Sequence, residues 1–107
     1  MKESEIQKAV FQNIAERGEP RVLAWAVPNT PEARRVPGFK AGAHDISILK
    51  AGEFFSLELK TEEGEATPQQ RAFHAGVKLA GGEPYIAHGL DDALAWLELQ
   101  GIIRRAQ

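Results

Sequence analysis

Gly42-Ala43-His44-Asp45-Ile46-Ser47-Ile48-Leu49-Lys50-Ala51-Gly52-Glu53-Phe54-Phe55-Ser56-Leu57-Glu58-Leu59-Lys60 is the stretch on which the reading of this chain turns. From His44 to Lys50 the residues alternate in character. Ile46 and Ile48 share one side, and Asp45, Ser47 and Leu49 share the other. Such alternation marks a strand with two unlike faces. Glu53 to Lys60 repeats it, with Phe55, Leu57 and Leu59 pointing one way and Phe54, Ser56, Glu58 and Lys60 the other. Ala51-Gly52 between them suits a tight hairpin connection. An antiparallel hairpin brings the start of its first strand beside the end of its second. Asp45 and Glu58 are therefore expected at one end of a sheet.

Working outward, residues 4–17 read as a helix. Ser4 and Gln7 have capping-box spacing, Ile6, Ala9, Val10 and Ile14 fall on one face, and Gly18 ends the run. Val22 to Val27 reads as a strand before Pro28. Residues 28–42, rich in proline and glycine, read as a long loop of the kind that carries function. Thr61 to Ala66 is an acidic loop whose Glu62, Glu63 and Glu65 are expected in solvent. Thr67 then caps a helix with Pro68 at its first position; Phe73, Gly76, Val77 and Ala80 are its expected buried stripe, and Gly81-Gly82 stops it. Tyr85 to His88 is a short strand, and Asp91 or Asp92 opens a last helix carrying Leu94, Trp96 and Leu97. The order α-β-β-β-α-β-α predicts an α/β fold, a small mixed β-sheet flanked by helices.

The bulk properties narrow the class. A chain of 107 residues is expected to form a single domain over 1–107, with room for one core. Composition is that of a globular protein, at 43% hydrophobic and 26% charged. There is no cysteine, which excludes disulfides, thiolate metal ligands and cysteine nucleophiles. No apolar run approaches a membrane span, and Met1 to Gln7 does not read as a signal peptide, so a cytoplasmic location is expected, in a bacterial or phage-infected cell. The formal net charge of -2 is mildly unusual for a nucleic-acid binder. Local charge matters more, because metal ions reverse the field of the carboxylates that hold them. Arg34, Arg35 and Lys40 form a basic stretch with no acid after Glu32, fit to meet phosphates or simply to face water.

The chemistry lies in the hairpin. Asp45 and Glu58 offer hard oxygen ligands for Mg²⁺ or Mn²⁺, and the Leu59 carbonyl adds a third. Lys60 shares the Glu58 face, where its ammonium can orient an attacking water or offset charge on a phosphorane. Glu-x-Lys on its own is commonly a solvated strand face; Phe54 and Ser56 on that face, and the glycine-rich approach to Asp45, argue for a site.

These residues resemble the VRR-NUC family within the PD-(D/E)xK nuclease superfamily. Ser4-Glu5-Ile6-Gln7 lies where the family carries a helical acid, and Pro37-Gly38 followed by Gly42-Ala43-His44-Asp45 resembles its Gly-x-Pro-Asp, with His44 in place of proline. Glu58-Leu59-Lys60 is similar to the superfamily motif, and Thr67-Pro68-Gln69-Gln70 to the family's Ser/Thr-x-x-Gln. Gly81-Gly82 before a short strand fits its close. The resemblance spans nearly the whole chain and rests on the order of motifs that are individually weak.

The resemblance implies a restriction-endonuclease-like fold and a metal-dependent DNA endonuclease, selective for branched or junction DNA, with no small-molecule cofactor beyond metal. It implies Glu5 as an accessory ligand, although an acid in a first helical turn is equally explained by the helix dipole. It implies Gln70 as a site organiser, with Gln69 the competitor one position back. His44, His74 and His88 are expected to be structural, and Trp25 and Trp96 to be core. A homodimer is implied, with Phe54, Ile102 and Ile103 as candidate contact residues. The competing readings are a non-catalytic nucleic-acid-binding module on the same fold and a protein-interaction domain using the Leu94-Trp96-Leu97 helix.

Overall fold

The hairpin forms as read. In the computed structural model, which describes residues 1–106, strand β2 (Ile46–Lys50) pairs antiparallel with β3 (Glu53–Lys60), in register from Ile46 opposite Leu57 to Lys50 opposite Glu53. Ala51 and Gly52 both take positive φ, 48° and 90°. This suits the right-handed twist of the two strands, at a cost of about 1–2 kcal/mol for the alanine.

Strand β1 (Val22–Ala26) adds antiparallel to β2, and β4 (Glu83–His88) adds parallel to β3, giving the sheet order β1-β2-β3-β4. The parallel step needs a crossover, supplied by α2 (Pro68–Leu79). Pro84 is tolerated in β4 because that strand lies on the sheet edge. The mixed sheet with its helices is the α/β architecture expected.

Helices α1 (Glu3–Arg17) and α3 (Leu90–Leu99) cover one face. Ile6 and Val10 of α1 and Trp96 and Leu97 of α3 pack against Ile46, Ile48, Leu57 and Leu59 of the sheet. Trp96 stacks on Tyr85 at 5.2 Å and meets the edge of Phe55. Ile102 and Ile103, expected as leftover surface, are fully buried in this core. They are carried inward by a β-bridge between Ile103 and Gly18. With Trp96 and Leu97 spent on the core, the interaction-helix reading loses its main support.

Three further expectations are corrected. The α1 cap is Lys2, whose backbone N–H donates to Glu5 Oε1 at 2.7 Å, rather than a Ser4–Gln7 box. No residue of α2 is buried: Phe73, His74 and Val77 are half-buried, while Gly76 and Ala80 face solvent. The helix thus rests on the sheet by a narrow ridge. Trp25 is 43% exposed, because Leu23 and Trp25 lie on the face that carries α2 but at its β1 end, while α2 packs toward β4. The loop from 28 to 42 contains one 3-10 turn, Ala33–Arg35. Glu62, Glu63 and Glu65 are exposed as expected, and no described helix is long and apolar enough to cross a membrane.

Candidate active site

Asp45 lies one step beyond the Ile46–Leu57 pair, which sets it across from Glu58 as the hairpin register predicts. Its position is fixed twice. Its Oδ2 accepts from Leu59 N–H at 2.8 Å, and its carbonyl accepts from Val27 N–H at 2.8 Å. The carboxylate therefore replaces the strand partner that Leu59 would otherwise lack. A residue in an extended strand turns its N–H and C=O to the same edge, so the Leu59 carbonyl lies on the Asp45 side.

Glu58 and Lys60 are buried, at 2% and 7% exposure, an uncommon environment for charged side chains. Lys60 Nζ is 3.6 Å from Glu58 Oε2, and Gln70 Nε2 donates to the same oxygen at 3.1 Å. Glu58 Oε1 is buried with no hydrogen-bond partner. Burial pushes the Glu58 carboxyl up to about 8, and the adjacent Asp45 carboxylate adds to the shift; Lys60 opposes it and does not prevail. Without metal, burial and the neighbouring Asp45 carboxylate thus favour the protonated form of Glu58.

Of the two glutamines, Gln70 is the one that bonds Glu58. Gln70 Oε1 accepts from Thr67 N–H at 2.9 Å, and Thr67 Oγ1 accepts from Gln70 N–H at 3.1 Å. That capping box orients the Gln70 side chain so that its amide reaches Glu58. Local helix capping and the site are one device here.

Glu5, the expected accessory acid, is exposed and engaged in the α1 cap. The α1 charge felt by Glu58 is that of Glu3. Sequence reasoning missed Glu3, although a signal was present: Glu3, Ile6 and Val10 follow the i, i+3, i+7 spacing of the buried stripe, and Glu5 does not.

His44 is packed beneath α2, with its Nε2 buried and unpartnered. It is 1% exposed, its Nδ1 lies 2.9 Å from Ser56 Oγ, and its ring packs 4.9 Å from Phe73 and 5.7 Å from His74. Burial lowers its pKa to about 4, so it is neutral. His74 is half-buried against it, and His88 is exposed at the end of β4, its backbone N–H bonded to Asp92. Gly42 has a packing role. A Cβ there would come within 2.4 Å of the Gln69 carbonyl, so glycine at φ +81° lets the loop press against the start of α2. Arg34, Arg35 and Lys40 are exposed on the loop leading to Asp45, with Arg34 Nε donating to Asn29 Oδ1 at 3.2 Å.

The residues present fit a divalent cation. An orphaned buried carboxylate oxygen beside a second carboxylate is the arrangement that a hard cation stabilises. Among the described residues no cluster of three Asp, Glu, His or Cys is poised for a metal. Two carboxylates and a carbonyl suit Mg²⁺, which characteristically keeps several waters and takes one or two protein carboxylates.

No family model matches the sequence, and the curated proteins give no match. Solved structures do match. A "VRR_NUC domain protein" is similar at TM-score 0.78 and 21% identity, over 95% of this chain and 88% of that one. A second, "VRR_NUC domain", is similar at TM-score 0.69 and 17% identity, over 90% and 94%. The chain has the fold of these domains along nearly its whole length.

Proposed function

We propose that this chain is a VRR-NUC-type nuclease that hydrolyses DNA phosphodiester bonds with Mg²⁺ or Mn²⁺. The observation that carries the reading is the buried Glu58 carboxyl, one oxygen unpartnered, set beside Asp45 and Lys60. A purely binding module has no physical reason to bury Glu58 and Lys60 beside a second carboxylate, since burying ionisable groups is costly.

Asp45, Glu58 and the Leu59 carbonyl would hold the cation, with Glu3 acting from a distance. A bound divalent cation would supply Lewis-acid polarisation of the phosphate and a more acidic water. The chain's own groups do the rest. Gln70 holds Glu58 in place, and the Leu59 N–H holds Asp45. Lys60 presents a buried ammonium that orients the attacking water and offsets negative charge as the phosphorus becomes crowded. Arg34, Arg35 and Lys40 hold the DNA by its phosphates. Ca²⁺, which is larger and less strict in geometry, is expected to bind without supporting turnover.

The test is cleavage of linear, nicked, flapped and four-way DNA. Activity is expected with Mg²⁺ or Mn²⁺ and none in EDTA, with preference for branched forms. Full-rate cleavage in EDTA contradicts the mechanism.

The active form is proposed to be a homodimer. Leu23, Leu49 and Phe54 stand opposite one another across β1, β2 and β3, at 62%, 39% and 37% exposure, with Trp25 beside them. A contiguous apolar row on the uncovered half of a sheet suits a self-complementary contact. Light scattering should give a dimer mass, and Leu23→Lys with Leu49→Lys should give a monomer that keeps its fold. A monomeric wild type at micromolar concentration that cleaves branched DNA fully contradicts the dimer.

A further inference from the structure

The loop joining β1 to β2 is constructed rather than slack. Arg34 N–H donates to the Thr30 carbonyl, Val36 N–H to Ala33, Phe39 N–H to Val36 and Ala43 N–H to Lys40, at 3.0–3.2 Å. These successive turns line a half-open cavity of about 340 Å³. Its walls are apolar, chiefly Val27, Pro28, Val36, Pro37 and Phe39. Gly42 and Ala43 complete it, directly ahead of His44 and Asp45. Its placement relative to the site is fixed at two points, by the Val27–Asp45 backbone hydrogen bond and by the close approach of Gly42 to Gln69.

The chemistry of the cavity selects its occupant. Its volume lies at the low end of the range of about 300–1,000 Å³ for small-molecule sites, the size for one flat ring system. Apolar walls favour a ring face. Asn29, which also lines the cavity, accepts from Arg34 through Oδ1, leaving its amide N–H₂ to donate to acceptors on a ring edge. Lys40 lies on the cavity wall, Arg34 and Arg35 are exposed on the same loop, and no acid occurs from Ala33 to Ala43. The entrance therefore favours an anionic chain attached to that ring.

We propose that this cavity receives a single unpaired nucleobase of the DNA substrate, turned out of the stack next to the strand held at Asp45 and Glu58. The proposal rests on the nuclease reading and adds the source of its substrate choice. A paired base must first be unstacked and unpaired, at a cost of a few kcal/mol, whereas a base at a flap, bulge or junction is already free. The cavity thereby selects branched or looped DNA without reading an extended sequence.

The experiment compares the wild-type protein, without divalent metal, on three oligonucleotides: a duplex with a single-base bulge, the same duplex abasic at the bulge, and a fully paired duplex. The abasic bulge is expected to bind roughly tenfold more weakly than the intact one, the scale of one lost base contact. A 2-aminopurine at the bulge should change its emission on binding. Ala33→Phe, which fills the cavity, should remove the bulge advantage and leave affinity for the paired duplex unchanged. Equal affinity for the intact and abasic bulges overturns the proposal, and this comparison needs no variant to fold. A change of oligomeric state in Ala33→Phe, with the bulge advantage intact, assigns the cavity to a protein contact and also overturns it. If DNA is cleaved with Mn²⁺ while the abasic bulge binds equally well, only this proposal falls; if no DNA is bound or cleaved, the nuclease reading falls with it.

Discussion

Glu58→Gln should abolish cleavage and, at the same time, stabilise the metal-free protein at neutral and alkaline pH. The rate is expected to fall by ~10²-fold or more, the scale for removing a positioned electrostatic group. The gain in stability follows from the raised carboxyl. In the unfolded chain Glu58 titrates near its ordinary value of 4.5, and in the folded chain near 8. A carboxyl whose pKa is raised on folding contributes stability that is fully present below the unfolded value and is lost as pH rises through the folded value. The metal-free wild type should therefore lose stability between about pH 4.5 and 8, and the glutamine variant should not lose that component. Glutamine preserves an acceptor for the Gln70 amide and removes the charge. Thermal melts in EDTA at pH 5, 7 and 8.5 should show the two proteins converging in acid. At pH 8.5 the variant should melt higher by roughly 5 °C or more. A variant less stable than wild type at every pH would mean that Glu58 is a structural carboxylate and not a strained ligand.

Lys60→Met should separate catalysis from metal holding. Methionine keeps much of the buried stem and removes the ammonium. Cleavage is expected to fall by ~10²-fold at saturating metal. Lys60 is the cation that restrains the rise of the Glu58 pKa, so its loss should move metal binding to higher pH. At pH 8.5 the variant should still take up metal with wild-type stoichiometry, as a titration with Mn²⁺ would record. Wild-type cleavage by Lys60→Met would reduce Lys60 to a charge partner of Glu58.

The hairpin was legible in the sequence because its period of two appears twice, on either side of a two-residue turn. That same pattern placed Asp45 opposite Glu58, since register follows from turn length. Gln70 became legible through its cap, though only the folded chain separated it from Gln69. What failed did so for definable reasons. Trp25 was taken for core on residue type, yet burial on an edge strand depends on which half of the sheet a helix covers. The α2 stripe was placed on Gly76 and Ala80, small residues whose packing leaves no clear periodic signal. Ile102 and Ile103 follow the last helix, and nothing local foretells that a bridge to Gly18 draws them inward. Glu3, whose charge reaches Glu58, was not picked out, although it falls on the helical stripe with Ile6 and Val10.

The sequence matches no family model, yet the fold is shared with VRR_NUC domains at 17–21% identity. What such a fold requires is a pattern of apolar positions and a few polar groups at strand and helix ends. Those requirements act on few identities, so most of the surface is free to diverge. The bulk net charge of -2 says little about the proposed site, whose groups are the buried Glu58 and Lys60, the half-buried Asp45 and the exposed loop cations.

The central claim is that Asp45 and Glu58 together hold a divalent cation, and calorimetric titration of Mn²⁺ at pH 7, repeated in buffers of different ionisation enthalpy, tests it most directly. Because Glu58 titrates near 8 in the metal-free protein, binding should release close to one proton per ion. Both binding and release should be lost in Asp45→Ala and Glu58→Gln. Unchanged Mn²⁺ affinity in both variants, or wild-type binding with no proton released, would contradict the account.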